Sequence, residues 1–108
     1  MSLFLKQGPD GCRIAGVRPE SLVAVFVAHE IYKEHSQNLV WTCCTDAKHQ
    51  TGSLHYVGLA VDLGFPLESQ RPAIEQKLKA RLGEDFDVVV EGDHYHIEFQ
   101  PKRGLNLQ

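Results

Sequence analysis

The chain has 108 residues, of which 43% are hydrophobic and 23% charged, with a formal net charge of −3. That is room for one globular domain with a modest core, and the balance argues against a disordered or fibrous chain. It gives no electrostatic case for nucleic acid, which recruits a basic patch. No apolar run approaches the roughly 20 residues that span a bilayer, so no membrane insertion is expected.

The opening Met1-Ser2-Leu3-Phe4-Leu5-Lys6 is too short and too soon interrupted for a secretory signal, so the chain is expected to be cytoplasmic when synthesised. Residues 1–11 and 102–108 are expected to be weakly ordered parts of a single domain spanning 1–108. Gly8-Pro9-Asp10-Gly11 is a turn signal, and a short strand is predicted around Cys12 to Val17. Arg18-Pro19-Glu20 opens a helix, because proline fits a first turn and an acid suits its positive end. Leu22, Val23, Phe26, Val27 and Ile31 recur at helical spacing and are predicted to face the core. His29 is read as a surface histidine. The helix should end by Ser36-Gln37-Asn38.

Leu39 to Cys44 reads as a strand, rich in β-branched and aromatic residues. Cys43 and Cys44 should then face opposite ways. Three cysteines, two of them adjacent, make a poor disulfide framework and are expected to be reduced. A polar loop over residues 45–52 follows. Leu59-Ala60-Val61 is a second apolar run, closed by Asp62, and Gly64-Phe65-Pro66 ends it. Ser69 is predicted to cap a second helix, with Pro72 in its first turn and Gly83 just beyond its end. Ile74, Leu78 and Leu82 form its apolar stripe, while Glu75, Lys77, Lys79 and Arg81 make a solvated face. Phe86 to Glu91 and His94 to Phe99 read as two strands joined through Gly92 and Asp93. The fold class is therefore α+β, with a small, mostly antiparallel sheet backed by two helices.

Two stretches carry chemistry. Ser53-Leu54-His55-Tyr56-Val57-Gly58-Leu59-Ala60-Val61-Asp62 offers an imidazole, a glycine and a carboxylate. Glu91-Gly92-Asp93-His94-Tyr95-His96-Ile97-Glu98 offers two imidazoles and three carboxylates. A carboxylate in an apolar run is costly to bury unless it is paired or holds a metal. Imidazole and carboxylate together suit a catalytic zinc ion, with about three protein ligands and a position left for water. A structural ion pair, or a hydrogen-bonded histidine, is the plainer reading of the same residues.

The pattern Ser53-X-His55-X-X-Gly58-X-Ala60-X-Asp62, followed by Asp93-X-X-His96, resembles the zinc D-Ala-D-Ala carboxypeptidases and phage L-alanyl-D-glutamate endopeptidases of the M15 group. These share the hedgehog/DD-peptidase fold. The resemblance covers about a third of the chain closely. It implies zinc held by His55, Asp62 and His96, with Asp93 as general base. Glu91-X-X-His94 has the same spacing as Asp93-X-X-His96 and is the alternative register, with Glu91 as base and His94 as ligand. In the preferred register His94 shares a strand face with His96 and lines the cleft.

Ser53, Lys48 and His49, with His94, are the candidate substrate-binding residues. The family's usual Thr-Ser-Gly turn and nearby arginine are replaced here by Thr42-Cys43-Cys44 with no arginine following. Lys48 or His49 would then take the arginine's place, or Arg13 or Arg18 would reach in from elsewhere. Glu98 would orient a ligand or lie at the surface.

The implied function is a zinc metallopeptidase that hydrolyses cell-wall-type peptides, with peptidoglycan-derived peptide as substrate. It would reach the wall by release on lysis or by carriage in a phage virion. The alternatives are a non-catalytic zinc-bearing binding or assembly module, with a phage as one source, and a metal-free structural protein.

Overall fold

The computed structural model describes residues 1–44 and 58–101. Its described elements run in the order β1 (Leu3–Leu5), α1 (Pro19–Glu34), β2 (Leu39–Cys43), β3 (Ala60–Gly64), a single 3-10 turn (Glu68–Gln70), α2 (Arg71–Leu82), β4 (Phe86–Val90) and β5 (His94–Phe99). The strands form one five-stranded sheet in the order β1-β2-β3-β5-β4. Only β1 and β2 are parallel; β2–β3, β3–β5 and β4–β5 are antiparallel. A parallel neighbour needs a crossover, and α1 supplies it. The α+β class with a mostly antiparallel sheet and two helices is as expected.

One core joins the two layers. Val25, Ala28, Ile31 and Tyr32 of α1 meet Ile74 and Leu78 of α2, with Leu39 and Trp41 of β2, Val61 and Leu63 of β3, and Tyr95 and Ile97 of β5. Because strand side chains alternate, these positions fix the opposite face as well. Ala60, Asp62 and Gly64 of β3 lie there, beside His94, His96 and Glu98 of β5. The helices thus leave one face of the sheet to polar groups.

Several local expectations are corrected. Residues 12–17 form no strand; the first strand is Leu3–Leu5, inside the stretch expected to be weakly ordered. It joins the sheet because the parallel edge of β2 accepts it, with Leu3, Phe4 and Leu5 opposite Leu39, Val40 and Trp41. The buried face of α1 is Ser21, Ala24, Val25, Ala28, Ile31 and Tyr32. Val23 and Phe26, predicted inside, are 53% and 57% exposed. Small side chains at Ala24 and Ala28 let the helix axis approach the sheet, and that closeness outweighs the larger hydrophobes on the other side. The second helix is entered through the 3-10 turn with Gln70 at its N-cap, so Ser69 does not cap it. Its stripe of Ile74, Leu78 and Leu82 is buried and Gly83 ends it, as predicted. Of its polar face, Lys77 and Arg81 reach across to Glu34 of α1. The two cations hold the Glu34 carboxyl down at about 2.

Gly58 shows why one motif position is glycine. Its φ is +76°, and a Cβ there would run into Gly16 O and lie 3.0 Å from Val17 Cα. Its carbonyl accepts from Arg18 N at 3.1 Å and from the buried Ser21 hydroxyl at 2.6 Å. The start of α1 is thereby tied to the approach to β3.

Gly58→Ala should destabilise the protein by at least about 2 kcal/mol, since it adds both positive-φ strain and a backbone clash. Urea unfolding measures this. The same assay distinguishes the two faces of α1. Ala28→Leu should cost about 1–3 kcal/mol by overpacking, whereas Phe26→Ser should change stability by no more than about 0.5 kcal/mol.

Candidate functional site

The polar face of the sheet gathers the C-terminal residues of interest around Asp62. The antiparallel pairing of β3 with β5 puts Asp62 directly opposite His96. Their side chains meet, with His96 Nδ1 2.9 Å from Asp62 Oδ1. His94, two residues earlier on the same strand face, brings Nε2 to 3.6 Å from the same oxygen. Glu98, two residues later, brings Oε1 to 2.7 Å from His96 Nε2. Gln100 Nε2 then donates to Glu98 Oε2. Period-two alternation on one short strand has lined up imidazole, imidazole and carboxylate.

Asp62 is only 8% exposed, so its charge must be matched locally. His96 supplies the match. The hydrogen bond to Asp62 pushes the imidazole up to about 9, against desolvation, and Glu98 adds to the rise. Without a metal, His96 is an imidazolium held between two carboxylates. Asp93 is different in kind: its side chain is 93% exposed, and its Oδ1 lies 2.6 Å from His94 Nδ1. That contact holds the Asp93 carboxyl below the usual range. Glu91 is exposed at the turn, where its N–H donates to His94 O.

Beside this cluster lies an open cleft of about 330 Å³, lined by Lys6, Asp10, Thr42, Cys43, Asp93 and His94. Cys43 pairs with Asp62 across β2 and β3, with a bulge between Trp41 and Cys43. Cys44 turns into the core, so the two cysteines do face opposite ways. Thr42 Oγ1 donates to Asp62 O at 3.1 Å. Arg13 and Arg18 do not appear among the described residues of the cleft wall.

Of the sequence-predicted site residues, Asp62, Asp93, His94 and His96 are brought together. Glu91 stays at the edge. Lys48, His49, Ser53 and His55 lie outside the described residues. Lys6, Asp10 and Cys43 were not foreseen as parts of one cleft. Cys43 had a signal, the predicted outward turn of one member of the cysteine pair. Lys6 and Asp10 had none, because only the pairing of β1 carries them there.

Donor chemistry and spacing allow a test of whether zinc fits. Bonds of roughly 2.0–2.1 Å at tetrahedral angles place ligand atoms ~3.3 Å apart. The Asp62 oxygen stands 2.9 Å from His96 Nδ1 and 3.6 Å from His94 Nε2, on either side of that spacing. A Glu98 carboxylate on His96 Nε2 is the outer partner that a metal-bound imidazole ordinarily has. The donors fit. Among the described residues, however, no group of three or more such side chains is arranged as a complete metal site.

No protein-family model matches the chain, and comparison with curated proteins finds no match. Among the described residues no helix is long and apolar enough to cross a membrane.

The Asp62–His96 pair sets a pH dependence in metal-free protein. The folded His96 titrates near 9, against about 6.5 when unfolded. Its stabilising contribution is therefore complete below about pH 6.5 and is lost as the pH rises through about 9. Chelator-treated protein should show this fall in urea unfolding, and the imidazole resonances of His96 should titrate near 9. In Asp62→Asn the midpoint should move down towards the ordinary value.

Proposed function

We propose that the protein is a mononuclear zinc peptidase acting on short cell-wall-type peptides. The observation that carries this reading is the approach of His96 and His94 to the same Asp62 oxygen on the sheet face turned away from the helices, beside a cleft lined by Asp93 and His94. Asp62 and His96 would hold the ion through Oδ1 and Nδ1, with His55 from the preceding motif or His94 completing the set. When bound, zinc would polarise the scissile carbonyl and make its water acidic enough to ionise near neutral pH.

The remaining roles belong to the chain. Glu98 holds the His96 ring through Nε2 and so fixes which nitrogen faces Asp62. Asp93 is kept ionised by His94, the state a general base requires, and would take the proton of the attacking water and return it to the leaving amine. His94 links the two groups: one ring nitrogen is at Asp93 and the other is near Asp62.

A second reading has its own observation. Both ring nitrogens of His96 are already taken up by carboxylates. An imidazolium between Asp62 and Glu98 is a self-sufficient ion triad, as a metal-free polar core would have. A zinc-bearing domain without turnover, serving binding or assembly, stands between the two readings.

Elemental analysis and peptide hydrolysis separate all three. The peptidase reading expects about one equivalent of zinc, and cleavage of defined muropeptides or D-Ala-D-Ala that a chelator abolishes. Asp62→Ala should lose the metal. Asp93→Ala should keep it and lose turnover by about 10²- to 10⁴-fold. If Glu91→Ala shows that loss instead, the base is Glu91. Zinc without turnover supports the binding module, and less than about a tenth of an equivalent of metal supports the ion triad.

A further inference from the structure

The sheet has two edges, and only one of them is blunted. At one edge β1 is three residues long and runs on into Lys6, Gln7, Gly8 and Pro9. Short length, lysine and proline are usual guards against pairing with another chain. At the other edge β4, Phe86–Val90, has none of them. It pairs with β5 from Phe86 to Val90 without a bulge, and among the described residues no strand lies on its other side. Val89 and Val90 are 44% and 48% exposed.

Neighbouring hydrogen bonds fix the backbone phase of this edge. Glu91 N–H donates to His94 O at 2.9 Å, and Gln100 N–H donates to Asp85 O at 2.6 Å. In an antiparallel ladder, residues that exchange such bonds alternate with residues that do not. Asp87 and Val89 are in step with Asp85 and Glu91, so they turn their N–H and C=O groups to Glu98 and His96 of β5. The other side of β5 agrees. There Phe99 N–H donates to Leu59 O, so Phe99, Ile97 and Tyr95 bond towards β3. Phe86, Val88 and Val90 are left to turn their backbone groups outward. Phe86 N–H is taken by Gly83 O at 3.4 Å. The edge thus presents both groups of Val88, both groups of Val90 and the carbonyl of Phe86.

This arrangement is complementary to itself. Two β4 strands running antiparallel about a two-fold axis at Val88 overlap over their whole length, and every outward-facing residue meets another. Val88 N–H donates to Val88 O of the second copy. Val90 N–H donates to Phe86 O of the second copy, and the Phe86 N–H already held by Gly83 is not called on. A shift of two residues either way keeps the phase but leaves part of each strand unpaired. On the helix side, the exposed Val90 of each copy comes against Phe86 of the other, at the rim of its core. Asp87 stands opposite Val89 of the second copy, and Asp85 meets Glu91 only beyond the ends of the strands.

We propose that β4 is the interface of a homodimer, in which two copies pair antiparallel through Phe86–Val90. The occupant is a second copy because this edge supplies, in phase and over its full length, the partners that it lacks. The two-fold axis stands perpendicular to the sheet. Both helix layers then lie on one side of the joined sheet, and both Asp62–His96 clusters lie on the other. The pairing does not depend on whether those clusters hold metal. One strand per copy buries less than the roughly 1,600 Å² of a standard interface. The expected Kd is therefore on the order of 10–100 µM.

The test is sedimentation equilibrium of the full-length chain from about 5 µM to about 1 mM, with amide hydrogen exchange at both ends of that range. The average mass should rise from monomer to dimer. The Val88 and Val90 amides should slow by about fivefold or more, while the Asp87 and Val89 amides, bonded within the chain, stay protected throughout. Val90→Pro removes an outward donor at a position where an edge strand accepts proline. It should weaken dimerisation by about tenfold, with thermal unfolding of the dilute protein still cooperative. If that variant does not fold, the wild-type exchange pattern decides by itself. A chain that stays monomeric at the highest concentration overturns the proposal, as does a folded Val90→Pro that dimerises like wild type. A dimer whose Val88 and Val90 amides still exchange fast overturns it too, because the interface then lies elsewhere. Protection of those two amides in the dilute monomer also overturns it, because the chain then covers its own edge.

Discussion

The structure turns on the contact between Asp62 and His96. A carboxylate almost withdrawn from water cannot stay charged without a partner, and β5 presents one directly opposite on the sheet. The pairing register of β3 and β5 is therefore also a charge-matching constraint. A slip of one residue would put Asp62 opposite an apolar residue and turn His96 into the helix layer. Core packing enforces the same register from the other side, because Val61 and Leu63 must meet Tyr95 and Ile97 under the helices.

This two-sidedness organises the molecule. The helices cover one face of the sheet and bury every second residue of β3 and β5. The other face keeps the residues with acid–base or ligand chemistry. Tyrosines anchor the boundary between the layers: Tyr32 OH donates to Gly64 O at 2.7 Å, and Tyr95 OH donates to Arg71 O at 3.1 Å. Burial pushes both phenols above their ordinary range, so they remain neutral donors. The polar face is thus backed by a packed, hydrogen-bonded layer, with the candidate base on the turn that enters β5.

Much of this was legible in the residues. Alternation over His94–Phe99 announced a strand with its two histidines on one side, and an acid closing an apolar run announced that Asp62 needed a partner or a metal. The boundaries of α2 followed from Pro72, Gly83 and the stripe of Ile74, Leu78 and Leu82. The face of α1 was not legible in the same way. Of the five large hydrophobes that helical spacing put inside, Ile31 is buried and Leu22 and Val27 pack against the core, but Val23 and Phe26 face out while Ala24 and Ala28 turn inward. The strand at Leu3–Leu5 was missed because a three-residue strand has too few alternations to register, and its partner lies some 36 positions away in sequence.

The sequence by itself determined which groups were available: two histidines and a carboxylate in phase on β5, a carboxylate in β3, and a glycine where backbone and positive φ allow nothing larger. These depend on period-two alternation and local sterics, which act between near neighbours in the chain. Tertiary structure alone decided which groups meet. Strand order brought Asp62 to His96 across 34 positions, and the parallel edge strand brought Lys6 and Asp10 to the same cleft as Asp93 and His94. The reason is that pairing between distant segments is set by the packing of the whole sheet against its helices, and no local pattern in the chain encodes that sum.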